Sequence, residues 1–174
     1  MINKKENLHT VYLSVGSNVG DKRNNLEVSI AGLRRNPQIE VAAVSPFYRT
    51  QPQNYTDQDW FVNAVLKVKT TFLPEELLAE LQSLEKRQDK NGKPFRFGPR
   101  VIDLDIIFYD DLVMKTRDLE IPHPRMQDRC FVLIPLCDIG AQKVHPVLKS
   151  TSEELLKKIE KQDTQEVILL DKED

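Results

Sequence analysis

Apolar and polar residues alternate from His9 to Val15, with Val11, Leu13 and Val15 on one side, and a period of two predicts a strand. Gly16-Ser17-Asn18 punctuates it, and Asp21 is placed to cap a helix. Leu26, Ile30 and Leu33 give that helix an apolar face, and Pro37 marks the break after it. Val41 to Tyr48 and Phe61 to Thr70 are rich in β-branched and aromatic residues and predict two partnered strands. Pro74 suits a first helical turn, and Leu77, Leu78, Leu81 and Leu84 carry the helix to about Gln88. Val101 to Tyr109 predicts an apolar strand interrupted by two carboxylates. The stretches Arg49–Trp60 and Asp89–Pro99 read as long loops, which in compact domains are often functional.

The order strand, helix, strand, strand, helix, strand predicts an α+β fold of the ferredoxin-like βαββαβ kind. Its antiparallel sheet would carry helices packed on one face. After Asp111 the pattern predicts a short hairpin and a C-terminal helical extension, with helices near Met126–Ile139 and Ser152–Lys161. An edge strand is expected at Val167–Leu170. Residues 1–174 are expected to form one domain, with 1–8 and 171–174 frayed.

Composition narrows the classes. Of the 174 residues 40% are apolar and 30% charged, the balance of a globular protein, and the formal net charge of −2 offers no bulk positive field to nucleic acid. No apolar run approaches the roughly 20 residues of a membrane span, and no signal-peptide core is present. Cys130 and Cys137 read as buried thiols rather than a disulfide or a metal pair. A cytoplasmic, monomeric, reduced protein is expected.

The sharpest local feature is Asp103-Leu104-Asp105. Alternation along a strand aims both carboxylates the same way and puts Ile102, Leu104 and Ile106 on the other face. A divalent magnesium ion would relieve their repulsion and accept phosphates beside them. A solvated sheet face would tolerate the same pair. Lys86, Arg87, Lys90, Lys93, Arg96 and Arg100 bring six cations into fifteen residues just upstream. They suit a polyphosphate, or a plain solvated loop. Phe95 and Phe97 interleave with that charge. His123 between two prolines is a candidate for phosphate or ribose, or a surface histidine, and Arg129 near a helix start is a candidate for an anion, or a surface ion pair. Gly16 would let a flat ring approach the backbone or simply form a turn, and the amide of Asn63 could read a heterocycle edge or cap a turn. Phe61 and Phe131, taken alone, read as core.

These segments, in order, resemble the 6-hydroxymethyl-7,8-dihydropterin pyrophosphokinase family of folate biosynthesis. The resemblance runs over about residues 10–160. It is carried by Leu13-Ser14-Val15-Gly16-Ser17-Asn18, Ser45-Pro46-Phe47-Tyr48-Arg49-Thr50 and Phe61-Val62-Asn63-Ala64, then Leu84-Glu85 and Phe97-Gly98-Pro99-Arg100-Val101-Ile102-Asp103-Leu104-Asp105-Ile106. Ile121-Pro122-His123-Pro124-Arg125-Met126 and the run from Arg129 to Leu136 complete it. The resemblance implies transfer of pyrophosphate from ATP to the pterin hydroxymethyl group, releasing AMP. It implies two Mg2+ ions on Asp103 and Asp105, and a catalytic set of those two with Arg96 and Arg100. It further implies ATP contacts from Gln82, Glu85, Lys90, Arg100, Ile106, His123 and Arg129, and pterin contacts from Thr50, Phe61, Asn63, Asp103 and Phe131. Pro124 stands where the family usually has tyrosine, Phe97 where it has tryptophan, Lys90 and Gly92 where two arginines are frequent, and Gln51 where proline is frequent. A metal-dependent phosphohydrolase or nuclease using the same carboxylates, or a ligand-binding regulatory module on this fold, stays open on the residues alone.

Overall fold

The computed structural model describes residues 8–92 and 94–170. The fraying expected at 1–8 and 171–174 falls, apart from exposed Leu8, outside the described residues, as does the place of Lys93 in the basic loop. Strand β1 (His9–Ser17) leads through Asp21 into helix α1 (Lys22–Arg35). The Asp21 carboxylate accepts from the Asn24 backbone N–H at 3.0 Å, the cap expected there. Strands β2 (Ile39–Val44), β3 (Tyr48–Thr50) and β4 (Phe61–Thr70) follow, then helix α2 (Pro74–Gln88) and strand β5 (Asp103–Tyr109). The chain continues through a small hairpin of β6 (Met114–Lys115) and β7 (Glu120–Ile121), a 3-10 turn at Met126–Asp128, and helices α3 (Cys130–Gly140) and α4 (Ser152–Ile159). Strand β8 (Val167–Leu169) is last.

The sheet runs β5-β1-β4-β3-β8, with β2 sharing the β4 edge beside β3, and all its pairs are antiparallel. This is the expected βαββαβ arrangement with a helical extension. Two readings change in detail. The single strand expected from Val41 to Tyr48 is two, because Pro46 has no N–H to offer the ladder. Ser45 bridges the gap: its N–H donates to Val65 O and its hydroxyl accepts from Val65 N–H, both at 2.9 Å. Arg49 and Thr50 therefore belong to β3 and not to the loop. The helix expected from Met126 is also broken, since Arg129 is extended (φ −133°, ψ 102°) and caps α3.

Alternation sorts the sheet into two faces. Val11, Leu13 and Val15 of β1, Val62, Ala64, Leu66 and Val68 of β4, and Ile102, Leu104 and Ile106 pack beneath α1 and α2. Tyr12, Val65, Ile107 and Phe108 turn the other way, into a second core under α3 and α4. The helices of the βαββαβ unit thus share one face, and the extension covers the opposite one. A register shift between Tyr12 and Leu13 sends Ile107 and Phe108 to the same side, into the second core, while β5 stays paired with β1.

Among the described residues no helix is long and apolar enough to cross a membrane. Cys130 and Cys137 are free thiols. Burial first, then a hydrogen bond to Asp163, pushes the Cys130 thiol up to about 12, and burial pushes Cys137 up to about 11. Both are protonated and unreactive at neutral pH.

Candidate active site

At one end of the sheet the face beneath α3 turns from apolar to polar. Asp103 on β5 lies across from Gly16 on β1, which lies across from Asn63 on β4. Asp105 lies across from Ser14 in the neighbouring row. Gly16 has no side chain, so a gap opens between the carboxylate and the amide. That gap is the floor of a cleft lined by Asp103, Asp105, Asn63, Thr50, Phe61 and Phe131, with Arg100 and Arg129 at its side.

Each member is held by a definite partner. Asn63 is 4% exposed and donates through Nδ2 to Thr50 Oγ1 at 2.6 Å. A Cβ on Gly16 would lie 2.3 Å from Asn63 Oδ1, so glycine is required for this close approach. Arg100 donates through Nη1 to Asp103 Oδ2 at 2.8 Å, and through Nε to Gly98 O at 3.2 Å. Its guanidinium lies 5.9 Å from the centre of the Phe61 ring, and that of Arg129 lies 5.4 Å from Phe131. Phe61 and Phe131 are half-buried walls of the cleft, and Phe131 also packs against the second core.

The two long loops meet over this cleft. Gln58 Nε2 donates to Phe97 O at 3.0 Å, and Tyr55 packs edge-on against Phe95 with centroids 5.1 Å apart. Phe97 has φ +63°, a backbone region costly for a large side chain, and its ring lies 4.8 Å and 4.9 Å from the Arg96 and Arg125 guanidinium groups. Gln51 uses the N–H that a proline would lack to donate to Glu166 O at 3.0 Å.

A second cleft opens on the other side of Asp105. Leu78, Leu104 and Ile106 form its apolar wall, and Lys115, Thr116 and His123 contribute polar groups. Asp105 lines both clefts. Glu85 sits behind this junction, where its carboxylate accepts the Leu104 N–H at 2.7 Å and fixes the peptide between the two aspartates. The neighbouring Gln82 and the loop residues Lys90 and Arg96 are exposed and line neither cleft.

Charge is balanced toward anions. Burial, then the neighbouring charge of Arg125, lowers the Arg129 pKa, while Asp105 and Asp103 oppose that shift. Arg100, Arg125 and Arg129 against Asp103 and Asp105 leave one net positive charge. Burial, then Arg129 and Arg125, lowers His123 to about 4, so its ring is neutral near pH 7. Its Nδ1 accepts the Arg125 N–H at 3.1 Å, which leaves Nε2 as the donor.

Among the described residues, no group of three or more His, Cys, Asp or Glu side chains gathers to hold a metal. A cation at Asp103 and Asp105 would draw its other ligands from water or a bound phosphate. The hard oxygen donors fit magnesium, which keeps such ligands.

Several lining residues were not legible beforehand. Gln53, Asn54, Gln58 and Gln165 enter the first cleft from segments far apart in sequence, and Lys115 and Thr116 enter the second. No spacing rule in the chain marks them.

Two clefts that share Asp105, with Asp103, Arg100 and Arg129 lining the first, define a class: an α+β domain with a carboxylate pair and fixed cations at the open end of its sheet. The chain belongs to the 7,8-dihydro-6-hydroxymethylpterin-pyrophosphokinase (HPPK) family, whose sequence pattern matches residues 12–141. The 2-amino-4-hydroxy-6-hydroxymethyldihydropteridine pyrophosphokinase of Aquifex aeolicus is 37% identical over 145 residues, which are 83% of this chain and 89% of that protein. The folic acid synthesis protein FOL1 of Dictyostelium discoideum is 45% identical over 82% of this chain, but the chain spans only 21% of that longer protein. In fold, the chain is similar to a crystal structure of Plasmodium falciparum HPPK-DHPS, with a TM-score of 0.71 at 16% identity over 90% of this chain and 46% of that one.

Proposed function

We propose that this chain transfers the terminal diphosphate of ATP to the hydroxymethyl group of 6-hydroxymethyl-7,8-dihydropterin and releases AMP, a step of folate synthesis. The observation that carries this reading is that Asp105 lines both clefts while Asp103 beside it lines the first, so a carboxylate pair stands where two bound substrates would meet. The names of the bacterial relatives support the same reaction.

In this reading the pterin lies on Gly16, between Phe61 and Phe131, with Asn63 and Thr50 at its polar edge. The nucleotide lies across Ile106 and Leu78, with Lys115, Thr116 and His123 near its polar parts. The hydroxyl oxygen forms a bond to the β-phosphorus, and the bond from that phosphorus to the oxygen leading to the α-phosphorus breaks. The hydroxyl proton passes to solvent water, directly or through the Asp103 carboxylate, and AMP departs with the electron pair. Such transfer asks the protein mainly for alignment and neutralised charge. Arg100 stays anchored to Asp103 and offers its remaining N–H groups to phosphate oxygens. Arg129 adds a second fixed cation, and neutral His123 can donate through Nε2. Asp103 and Asp105 would hold the magnesium, two ions on this reading, which would neutralise phosphate charge when bound. Arg96 and Lys90 are exposed, and any role on the phosphates requires their loop to move inward.

One assay tests the proposal. Protein, magnesium, ATP and the hydroxymethyl-dihydropterin are mixed and AMP is measured. AMP formed only when the pterin is present is the expected result. Phosphate release without pterin would replace the proposal with hydrolysis, and binding without any product would make the chain a ligand-binding module.

A further inference from the structure

Residues 142–170 lie beyond the stretch that the family pattern matches, yet they reach the first cleft. Gln165 lines it beside Gln51 and Gln53. Its Nε2 donates to Gln51 O at 2.6 Å, and its Oε1 accepts from Gln53 Nε2 at 3.2 Å. Its own N–H donates to Asp163 Oδ1 at 2.9 Å. The other oxygen of that carboxylate accepts from Gln53 Nε2 at 3.4 Å. Asp163 also accepts from the Cys130 thiol, one residue before the cleft wall Phe131. Gln51 N–H donates to Glu166 O, and β8 then pairs with β3 from Val167 opposite Thr50.

The segment 163–169 therefore fastens three parts of one wall: the strand that carries Thr50, the residues 51–53 after it, and the start of the helix that carries Phe131. Without that brace, residues 51–53 leave the sheet at an edge with no regular partner. Amide groups present a donor and an acceptor together, and they read a heterocycle edge only if held in one orientation.

We propose that Gln165 is a positioning residue for the ring-bearing substrate: by fixing Gln51 and Gln53 against the cleft, the segment 163–169 sets the affinity for a flat, donor-and-acceptor-edged heterocycle. This inference rests on the pyrophosphokinase reading above and adds to it a part of the chain outside the family match.

The test compares wild type with Gln165→Ala, Gln165→Glu and Val28→Thr, measuring KM for pterin, KM for ATP, kcat and thermal melting. Gln165→Glu keeps the size and the acceptor for Gln53 but cannot donate to Gln51 O. Loss of one or two such bonds raises the pterin KM by about three- to tenfold in both Gln165 variants. The ATP KM and kcat are expected to stay within about twofold, because the nucleotide side is untouched. Val28→Thr alters an exposed side chain on α1 that lines neither cleft and is expected to match wild type. A Gln165→Ala enzyme with a wild-type pterin KM, or with both KM values raised in step, overturns the inference while leaving the activity standing. A wild-type chain that makes no AMP overturns the activity, and the inference with it.

Discussion

Asn18 and Arg100, 82 residues apart in sequence, hold each other through two hydrogen bonds. Asn18 N–H donates to Arg100 O at 3.1 Å, and Arg100 N–H donates to Asn18 Oδ1 at 2.9 Å. The Asn18 amide also donates to Gln58 Oε1 at 2.9 Å and to Asp59 O at 3.1 Å. One side chain, 3% exposed, thus joins the end of β1, the loop before β4 and the arginine that pairs with Asp103.

Removing that hub should be felt in stability and in turnover. Asn18→Ala leaves the Arg100 N–H, Gln58 Oε1 and Asp59 O without their partner, at a cost of roughly 1–3 kcal/mol. The expected outcome is a lower urea midpoint together with a lower kcat/KM in the AMP assay. An Asn18→Ala protein with wild-type values of both would show that Arg100 is held by something else.

Asp105→Asn keeps the shape of the side chain and removes its charge at the junction of the two clefts. Several kcal/mol of transition-state stabilisation should go with it, on the order of two to four decades in rate. The measurement is kcat at saturating magnesium, with circular dichroism to show that the fold is kept. Normal turnover would remove Asp105 from the reaction.

Gly16→Ala probes the floor of the first cleft. The new methyl would meet Asn63 Oδ1, so the amide must rotate and give up its bond to Thr50. The expected change is a rise of about tenfold or more in pterin KM, with a smaller effect on ATP KM. Equal effects on the two substrates would show that the glycine serves the strand and not the cleft.

His123 sets an acid limit on stability. Its pKa is about 4 in the folded chain against an ordinary value of 6.5, so both states carry a neutral ring above pH 6.5 and nothing is lost there. As pH falls from 6.5 toward 4 the unfolded chain takes up the proton first, and stability drops through that window. The loss should be on the order of 2 kcal/mol by about pH 5. Urea midpoints at neutral pH and near pH 5 measure it, and His123→Gln should show a smaller decline. Equal slopes in the two proteins would assign the acid sensitivity to other groups.

The chain itself determined much of this molecule. Local pattern placed β1, β4, α1 and α2 within a residue or two of their bounds: alternation for β1, β-branched and aromatic residues for β4, and a one-sided apolar stripe for the two helices. The same alternation put Asp103 and Asp105 together, since residues two apart on one strand have no choice of side. The ordered motifs carried the family. What local pattern could not give was any relation made by pairing. The split at Pro46 depends on Ser45 meeting Val65 across the sheet. The gap between Asp103 and Asn63 exists only because registry sets Gly16 between them. Gln58, Lys115, Thr116 and Gln165 are ordinary polar residues until the sheet and the loops bring them to a cleft. Hydrophobic periodicity is a property of neighbours along the chain, whereas a site is a property of neighbours in space, and only the packed fold converts one into the other.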